Sequence, residues 1–585
     1  VDSPAHFGRA RTIALLVVAA VAPYIATLAF GYIYDDTTIV RSNPRIQGWS
    51  SLLSLWTQPY WSPNAGAADQ SGLYRPVFMA ALSAVWNGIG HAPIWFHCVV
   101  VLLHAAATVA VWRLLSAAVS RWAALVGALW FAVQSVHVEA VANIANSSEV
   151  AVAVWVALLA LYIQRVTRRG SEPLSWRAAV GAGAIYLGAC FTKESGFVAP
   201  ALAMLWLWGW TPAASGEAFV DSLRGAARLW WRAVAVFAGV LVIVAVVRSR
   251  VLGGLVSGQS IGAPGIDRLS APARVWAMLA LGPRIAALLL WTPQINPHYG
   301  PTTLVAHPAR RALATLVVLI ATLGLAAARA RRGDRRWLAA ICFIGLAFLP
   351  ASNVLAATGQ ILAERTLYVA SIGVAMLAAL TADAIGERIT MPRMRTVALV
   401  CAGALIAVQG VRTFHFARVW GTHERLFGQM IAADPAGYRG YWLLGMAERN
   451  GGMPDSALVL LGRAYAIDPR DRQLSIDYTE TLMQKDLAAR AAEVSARLMT
   501  FPDLRQKPEA VSLYLNSRGR AYGPDSVIAA GRRLFEVAPS TTAALFVGTA
   551  YEVKGDDAAA LEMYRAGLRV APTDAELLSR LHAPR

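Results

Sequence analysis

The chain has 585 residues, of which 57% are hydrophobic and 15% charged. A soluble domain carries about 25% charged residues, so this composition excludes an ordinary soluble enzyme and fits a multi-spanning membrane protein. The formal net charge of +18 does not indicate nucleic acid, because the arginines gather in short gaps between apolar runs, where they act as topology signals. The first apolar run, 12–30, carries no charge and is close to the ~20 residues needed to cross a bilayer. It is long for a signal-peptide core and no small-residue cleavage pattern follows, so it reads as a retained helix. Val1 reads as an alternative start in a bacterial frame.

Further spanning runs lie near 94–115, 121–136, 149–164, 177–192, 196–210 and 231–249, then near 310–328, 337–355, 367–385 and 395–413. Cys98, Cys190, Cys342 and Cys401 all fall inside such runs, without the paired spacing that disulfides or zinc need. The stretch 273–292 is apolar too, but contains Arg274, Pro283 and Arg284. With the N-terminus inside, Arg113 and Arg121, then Arg165, Arg168, Arg169 and Arg177, then Arg224, Arg228 and Arg232 fall on the cytoplasmic side. A crossing by 273–292 would put Arg329, Arg331, Arg332, Arg335 and Arg336 outside. Treating it as a re-entrant or interfacial helix on the outer side keeps them inside, together with Arg388, Arg393 and Arg395. The expectation is eleven spans, a cytoplasmic N-terminus and an extracytoplasmic C-terminal region.

From about Gly421 charged residues intersperse with Leu, Ala and Tyr at helical spacing. Pro469, Pro502, Pro539 and Pro572 recur at intervals of 33, 37 and 33 residues, which resembles the tetratricopeptide repeat, a helix–turn–helix unit of about 34 residues. One repeat shows Tyr441, Leu444, Gly445, Ala457, Ala464 and Pro469 at the expected offsets, and another Val547, Gly548, Tyr551, Ala560, Tyr564 and Pro572. The two between them are degenerate. The expected fold is therefore all-α: a polytopic membrane domain over 1–420 and a repeat solenoid over 421–585.

On this topology the unusual polar residues collect at the outer helix ends, where ionisable groups are functional candidates. Asp35 and Asp36 open the long first outer loop, which also holds Trp56, Tyr60 and Trp61, suited to an interfacial helix, and then Tyr74-Arg75-Pro76. The next outer loop carries His137, Glu139, Asn143, Asn146 and Glu149, and a tight turn carries Lys193 and Glu194. The last outer turns hold Ser352, Asn353, Glu364, Arg365 and Tyr368. His104, in the middle of a span, reads as a satisfied polar group between helices, and His91 and His97 carry no signal.

The order of Tyr34-Asp35-Asp36, Asn43-Pro44, Leu73-Tyr74-Arg75-Pro76, Leu103-His104, Val136-His137-Val138-Glu139-Ala140-Val141, Lys193-Glu194-Ser195-Gly196 and Ala363-Glu364-Arg365-Thr366-Leu367-Tyr368 resembles the transmembrane and tetratricopeptide repeat-containing glycosyltransferases. These are relatives of the protein O-mannosyltransferases. Where that family has His-Pro, this chain has Gln134-Ser135, and its repeat array is short. The resemblance implies a glycosyltransferase of the GT-C superfamily that takes a mannose-like sugar from a polyprenyl-phosphate donor. The acceptor would be a hydroxyl of a protein or glycan captured in the repeat groove, on the outer side of a bacterial plasma membrane.

Such a displacement needs a base for the acceptor hydroxyl and cations for the departing phosphate. Asp35 or Asp36 would supply the base. Neighbours on extended backbone point oppositely, so only one of the two faces the sugar. Arg75, Lys193 and Arg365 would neutralise phosphate, while His137 and Glu139 would line the sugar pocket or fix the loop; Tyr74, Glu194 and Glu364 complete the donor-binding set. One dominant base fits an inverting single displacement. Two aspartates and a histidine offer ligands for a divalent metal, but enzymes of this type do not generally require one, and no cofactor is expected. The alternatives are an oligosaccharide ligase or polymerase, which would depend on a large late outer loop, and a non-enzymatic repeat scaffold. A transporter is disfavoured because the sequence shows no inverted repeat or broken helix pair at mid-membrane depth.

Overall fold

The structure, a computed structural model, describes residues 8–61, 72–167, 173–210, 219–254, 263, 265–305, 307–389 and 391–582. Val1, part of the first outer loop (62–71), and Arg168 and Arg169 of the expected cytoplasmic cluster lie outside the described residues. Among the described residues every regular element is a helix. The chain divides into two compact units, Val1–Gln429 and Met430–Arg585.

Among the described residues of the first unit, seven helices are long and apolar enough to cross a membrane: Arg9–Ala29, Pro93–Leu115, Ala145–Thr167, Arg224–Leu252, Ala309–Arg331, Ala370–Arg388 and Pro392–Gly421. Two helix pairs, Arg121–Ala132 with Ser135–Ala142 and Ala271–Ala280 with Gly282–Trp291, are bent by 45° and 43°; counting each as one span raises the number to nine. The eleven expected runs are all helical, but three are short. Trp176–Thr192 has 17 residues, Ala199–Trp210 has 12, and Arg336–Ala351 is likewise below spanning length. At 1.5 Å per residue the first of these reaches about 26 Å, just under a hydrocarbon core of ~30 Å. The stretch 273–292 takes the form of a broken span or a re-entrant loop, each arm ten residues long, with Pro283 in the first turn of the second.

Small residues let these helices approach closely, as expected where no hydrophobic effect drives helices together in lipid. A Cβ on Gly127 would stand 2.6 Å from the Ala375 carbonyl oxygen, and one on Gly183 would stand 2.5 Å from Val236. Among its described residues the first loop forms no continuous interfacial helix. It folds as short 3-10 turns, Pro44–Ile46, Trp49–Ser51 and Ser54–Trp56. Trp49 and Leu53 are exposed there, whereas Tyr60 is buried.

The second unit is a run of antiparallel helix pairs: Tyr438–Asn450 with Pro454–Ile467, Arg472–Gln484 with Ala488–Leu498, Pro508–Tyr522 with Pro524–Val537, and Thr541–Val553 with Asp557–Val570. Ala575–His582 follows. The two middle pairs, degenerate in sequence, are as regular as the outer two. Their cores are carried by Leu474, Tyr478, Leu482, Val494, Val511, Leu515 and Leu534. In the last pair a Cβ on Gly548 would meet the Tyr564 ring at 2.2 Å, so only glycine leaves room for that aromatic wedge. Asp471, Ser540 and Asp556 cap their helices by accepting backbone N–H bonds, each a contribution of about 1 kcal/mol.

Candidate functional site

After Phe30 the chain leaves the first span through an extended stretch to Tyr34, which sits at φ 57°, a left-handed conformation costly for a large side chain. Two contacts hold it there. The Tyr34 backbone N–H donates to His423 Nε2 at 3.2 Å, and its ring meets Phe427 edge-on at 6.0 Å. Asp35 and Asp36 then begin a helical turn that continues as a π-turn over Thr37–Arg41. The expectation of extended backbone is therefore corrected. Helical geometry splays the two carboxylates by about 100° rather than setting them on opposite faces.

Their environments differ sharply. Asp36 is 1% exposed and accepts the backbone N–H of Ala145 at 2.7 Å and of Ile144 at 3.3 Å, tying the first loop to the turn before helix Ser148–Thr167. Burial pushes its carboxyl up to about 8 against those two N–H groups, and the charge of Asp35 adds to the rise. Asp35 is only half-buried. Its charge acts on the Arg365 guanidinium and on the Tyr60 phenol, so it lies in the field of the cations.

Those cations stand at the ends of several different helices. Arg75 precedes Pro76, the first residue of helix Pro76–Gly88; its Nη2 and Nε reach Glu194 Oε2 at 2.7 and 3.0 Å, and its guanidinium lies 4.8 Å from the centre of the Tyr60 ring. Lys193 ends helix Trp176–Thr192 and pairs with Glu149 at 3.1 Å, while the Ser195 hydroxyl donates to the other Glu149 oxygen at 2.8 Å. Arg365 pairs with Glu139 through its guanidinium, and its backbone N–H donates to Glu139 Oε2 at 2.9 Å. Arg248 reaches Glu194 Oε1 at 3.5 Å and also bonds the Gly72 carbonyl.

Burial lowers Lys193 to about 8; Glu149 opposes this, and the charges of Arg75 and Arg365 add to it. Glu194 is held at about 2 because Arg75 and Arg248 outweigh the burial that would raise it. The mutual influence of these groups makes one electrostatic cluster from Asp35, Arg75, Glu139, Glu149, Lys193, Glu194, Arg248 and Arg365.

The other expected site residues serve the frame around this cluster. The Tyr74 hydroxyl donates to the Trp56 carbonyl at 2.6 Å and its ring packs against Phe191. Glu364 is buried, accepting from the Asn296 N–H at 2.6 Å and the Tyr299 hydroxyl at 2.9 Å, which anchors the segment after the bent pair. Burial, with Glu139 nearby, raises its carboxyl to about 8 against the Asn296 N–H. His137 is fully buried, bonded to Ser371 at 2.6 Å, with its ring tilted by 42° against that of Tyr368 at 4.2 Å between centroids. His104 makes bonds from both ring nitrogens, to the Tyr368 hydroxyl at 2.6 Å and the Ala132 carbonyl at 3.0 Å, the satisfied interhelical role its sequence context suggests. Among the described residues no group of three or more His, Cys, Asp or Glu is arranged to hold a metal ion.

Glu149, an outer-loop candidate to which the sequence assigns no role, and Arg248, which it does not mark, both join the site. Arg248 was findable: it is the first charge after the apolar run 233–247, at the end of a span that the expected topology would direct outward.

No protein-family model matches the chain. It is 22% identical over 537 residues to the mouse (Mus musculus) protein O-mannosyl-transferase TMTC3, covering 86% of this chain and 57% of that protein. It is 24% identical over 497 residues to protein O-mannosyl-transferase Tmtc1 of Drosophila melanogaster (70% and 56%), and 21% identical over 486 residues to human (Homo sapiens) TMTC3 (79% and 52%). A solved structure of the APC/C hetero-tetramer Cut9-Hcn1 aligns with 74% of this chain at 14% identity and a TM-score of 0.22, too low to carry any argument. The chain thus spans about half the length of the curated relatives it matches, and its similarity is to proteins named protein O-mannosyl-transferases.

Proposed function

We propose that the protein is a membrane glycosyltransferase that moves a mannose-like sugar from a polyprenyl-phosphate donor to a hydroxyl acceptor, a Ser or Thr of a secreted protein. The reaction takes place on the extracytoplasmic face of a bacterial plasma membrane, with the N-terminus cytoplasmic and the solenoid outside. The observation that carries this reading is the convergence of Asp35 with Arg75, Lys193 and Arg365, contributed by four separate segments, at the helix ends. The names of the relatives support it.

Asp35 is the base. It takes the proton from the acceptor hydroxyl as the oxygen attacks the anomeric carbon; the bond from that carbon to the phosphate oxygen breaks, and its electron pair leaves with the polyprenyl phosphate. One displacement inverts the anomeric centre. Arg75, Lys193 and Arg365 receive the departing charge, and Glu194, Glu149 and Glu139 hold them ready. Asp36 is a positioning residue, because its oxygens are committed to backbone N–H groups. The solenoid groove presents the acceptor chain, as stacked repeats do for extended peptides.

The test uses the purified full chain with polyprenyl-phosphate mannose and Ser/Thr-rich peptides. Asp35→Asn is expected to lower transfer by roughly 10²- to 10⁴-fold, the usual contribution of a general base, with donor binding retained. Wild-type transfer rates in Asp35→Asn would refute the assignment, and donor binding with no transfer in the wild type would favour a scaffold.

A further inference from the structure

The helix Pro392–Ala417 is among the least covered spans, with only 11% of its most apolar window buried. Along one face, at intervals of three or four residues, it exposes Val397, Val400, Ala404, Val408 and Val411. The same face continues into His415 and Arg418, both exposed. Here the chemistry changes from aliphatic to cationic within one turn. From Val397 to His415 the rise is about 27 Å, close to the ~30 Å hydrocarbon core, so the two cationic positions fall at headgroup depth when the stripe lies in lipid.

At that level is a cavity of about 330 Å³ lined by His415, Arg418, Val419 and Arg425. The volume lies within the range of small-ligand sites. Arg418 leans on the Phe414 ring at 5.9 Å, and His415 meets the same ring at 5.7 Å, which fixes both at the rim. Within residues 388–433 the one carboxylate is Glu424, whose side chain is hydrogen-bonded at Thr422. In contrast to the paired cations of the Asp35 cluster, Arg418 and Arg425 stand in no salt bridge among the described residues. The recess therefore offers positive charge and donors at the end of an apolar track.

We infer that this recess binds the phosphate headgroup of an anionic phospholipid, whose acyl chains run along Val411, Val408 and Ala404. The apolar track selects a lipid over a soluble anion, and the two arginines select an anionic headgroup over a zwitterionic one. The site is separate from the transfer chemistry proposed above and stands without it.

Native mass spectrometry of the full chain in detergent tests this, with phosphatidylglycerol, phosphatidylcholine and inorganic phosphate as probes. Phosphatidylglycerol adducts are expected to exceed phosphatidylcholine adducts at equal mole fraction by at least roughly fivefold, consistent with two cations at a membrane surface. Arg418→Gln with Arg425→Gln should bring the ratio close to one, and Arg418→Lys with Arg425→Lys should keep most of it. Equal adducts of the two lipids on the wild type, or an unchanged ratio in the glutamine variant, would overturn the inference. Displacement of phosphatidylglycerol by millimolar inorganic phosphate would also overturn it, making this a soluble-anion site. If the glutamine variant does not purify, the wild-type ratio and the lysine variant decide the question.

Discussion

Replacing Asp36 with Asn should change how stability depends on pH more distinctively than it changes stability itself. In the native chain the Asp36 carboxyl is raised to about 8 by burial, while in the unfolded chain it titrates near 3.9. A raised acid contributes stability that is fully present below the unfolded value and is lost as pH climbs through the folded one. Between pH 4 and 8 the folded state holds a proton that the unfolded state has released, so unfolding becomes easier by up to about 1.4 kcal/mol per pH unit. Glu364, also raised to about 8, adds a slope of the same sign. Asn at 36 keeps an acceptor for the Ala145 N–H but turns an N–H₂ group toward Ile144, a cost of about 1–3 kcal/mol that does not vary with pH. The stability of wild type relative to Asp36→Asn should therefore fall by roughly 3–4 kcal/mol from pH 5 to pH 8, so that the variant becomes the more stable of the two at the alkaline end. Glu364→Gln should remove the other part of the slope. Thermal midpoints from tryptophan fluorescence in detergent, taken at half-unit steps from pH 5 to 8, measure this. A wild-type stability that stays constant or rises with pH relative to Asp36→Asn would refute the buried, proton-holding Asp36.

Other perturbations have equally definite outcomes. Gly196→Ala would place a Cβ 2.3 Å from the Ala189 carbonyl oxygen, so the turn carrying Lys193 and Glu194 must shift; a loss of about 1–3 kcal/mol in thermal stability and a drop in donor affinity are expected together. Glu194→Gln leaves Arg75 and Arg248 without a shared carboxylate, and a loss of about 1–3 kcal/mol in unfolding free energy is expected for a part-buried pair broken from one side. Tyr368→Phe removes the hydroxyl that bonds His104 and should cost about 1 kcal/mol while leaving any transfer rate near wild type. In the solenoid, Gly548→Ala collides with Tyr564, and hydrogen exchange should show selective loss of protection in the last two helix pairs.

The sequence made the all-helical architecture and the polar rim legible because both rest on local rules, charge exclusion from spans and ionisable residues at their ends. Arg75, Lys193, Glu194, Glu139 and Arg365 were visible on those grounds. Span length was less legible. Hydropathy over 177–210 reads as two crossings, while the Lys193–Gly196 turn leaves helices of 17 and 12 residues in the described chain. The separation of Asp35 from Asp36 could not be read at all. It depends on two N–H groups more than a hundred residues away, and backbone donors leave no mark in side-chain patterns. His137, expected to line the sugar pocket or fix the loop, lies against the Tyr368 ring, a neighbour more than two hundred residues away that local pattern does not reveal. The middle repeats look degenerate in sequence, yet Leu474, Tyr478, Leu482, Val511, Leu515 and Leu534 still pack their helix pairs.

The pairing of Arg75, Lys193 and Arg365 with Glu194, Glu149 and Glu139 has a consequence for what can enter the site. A neutralised cluster casts little long-range field, so a nucleotide or free phosphate drifting past feels almost no pull. Such an anion must displace a carboxylate already in place, from a bulk concentration that gives it no advantage. A phosphate confined to the bilayer arrives repeatedly, at an effective concentration far above that of a solute. The site would then discriminate among phosphates by where they reside, and its occupancy would respond to the lipid content of the membrane far more than to salt or metabolites in the surrounding fluid.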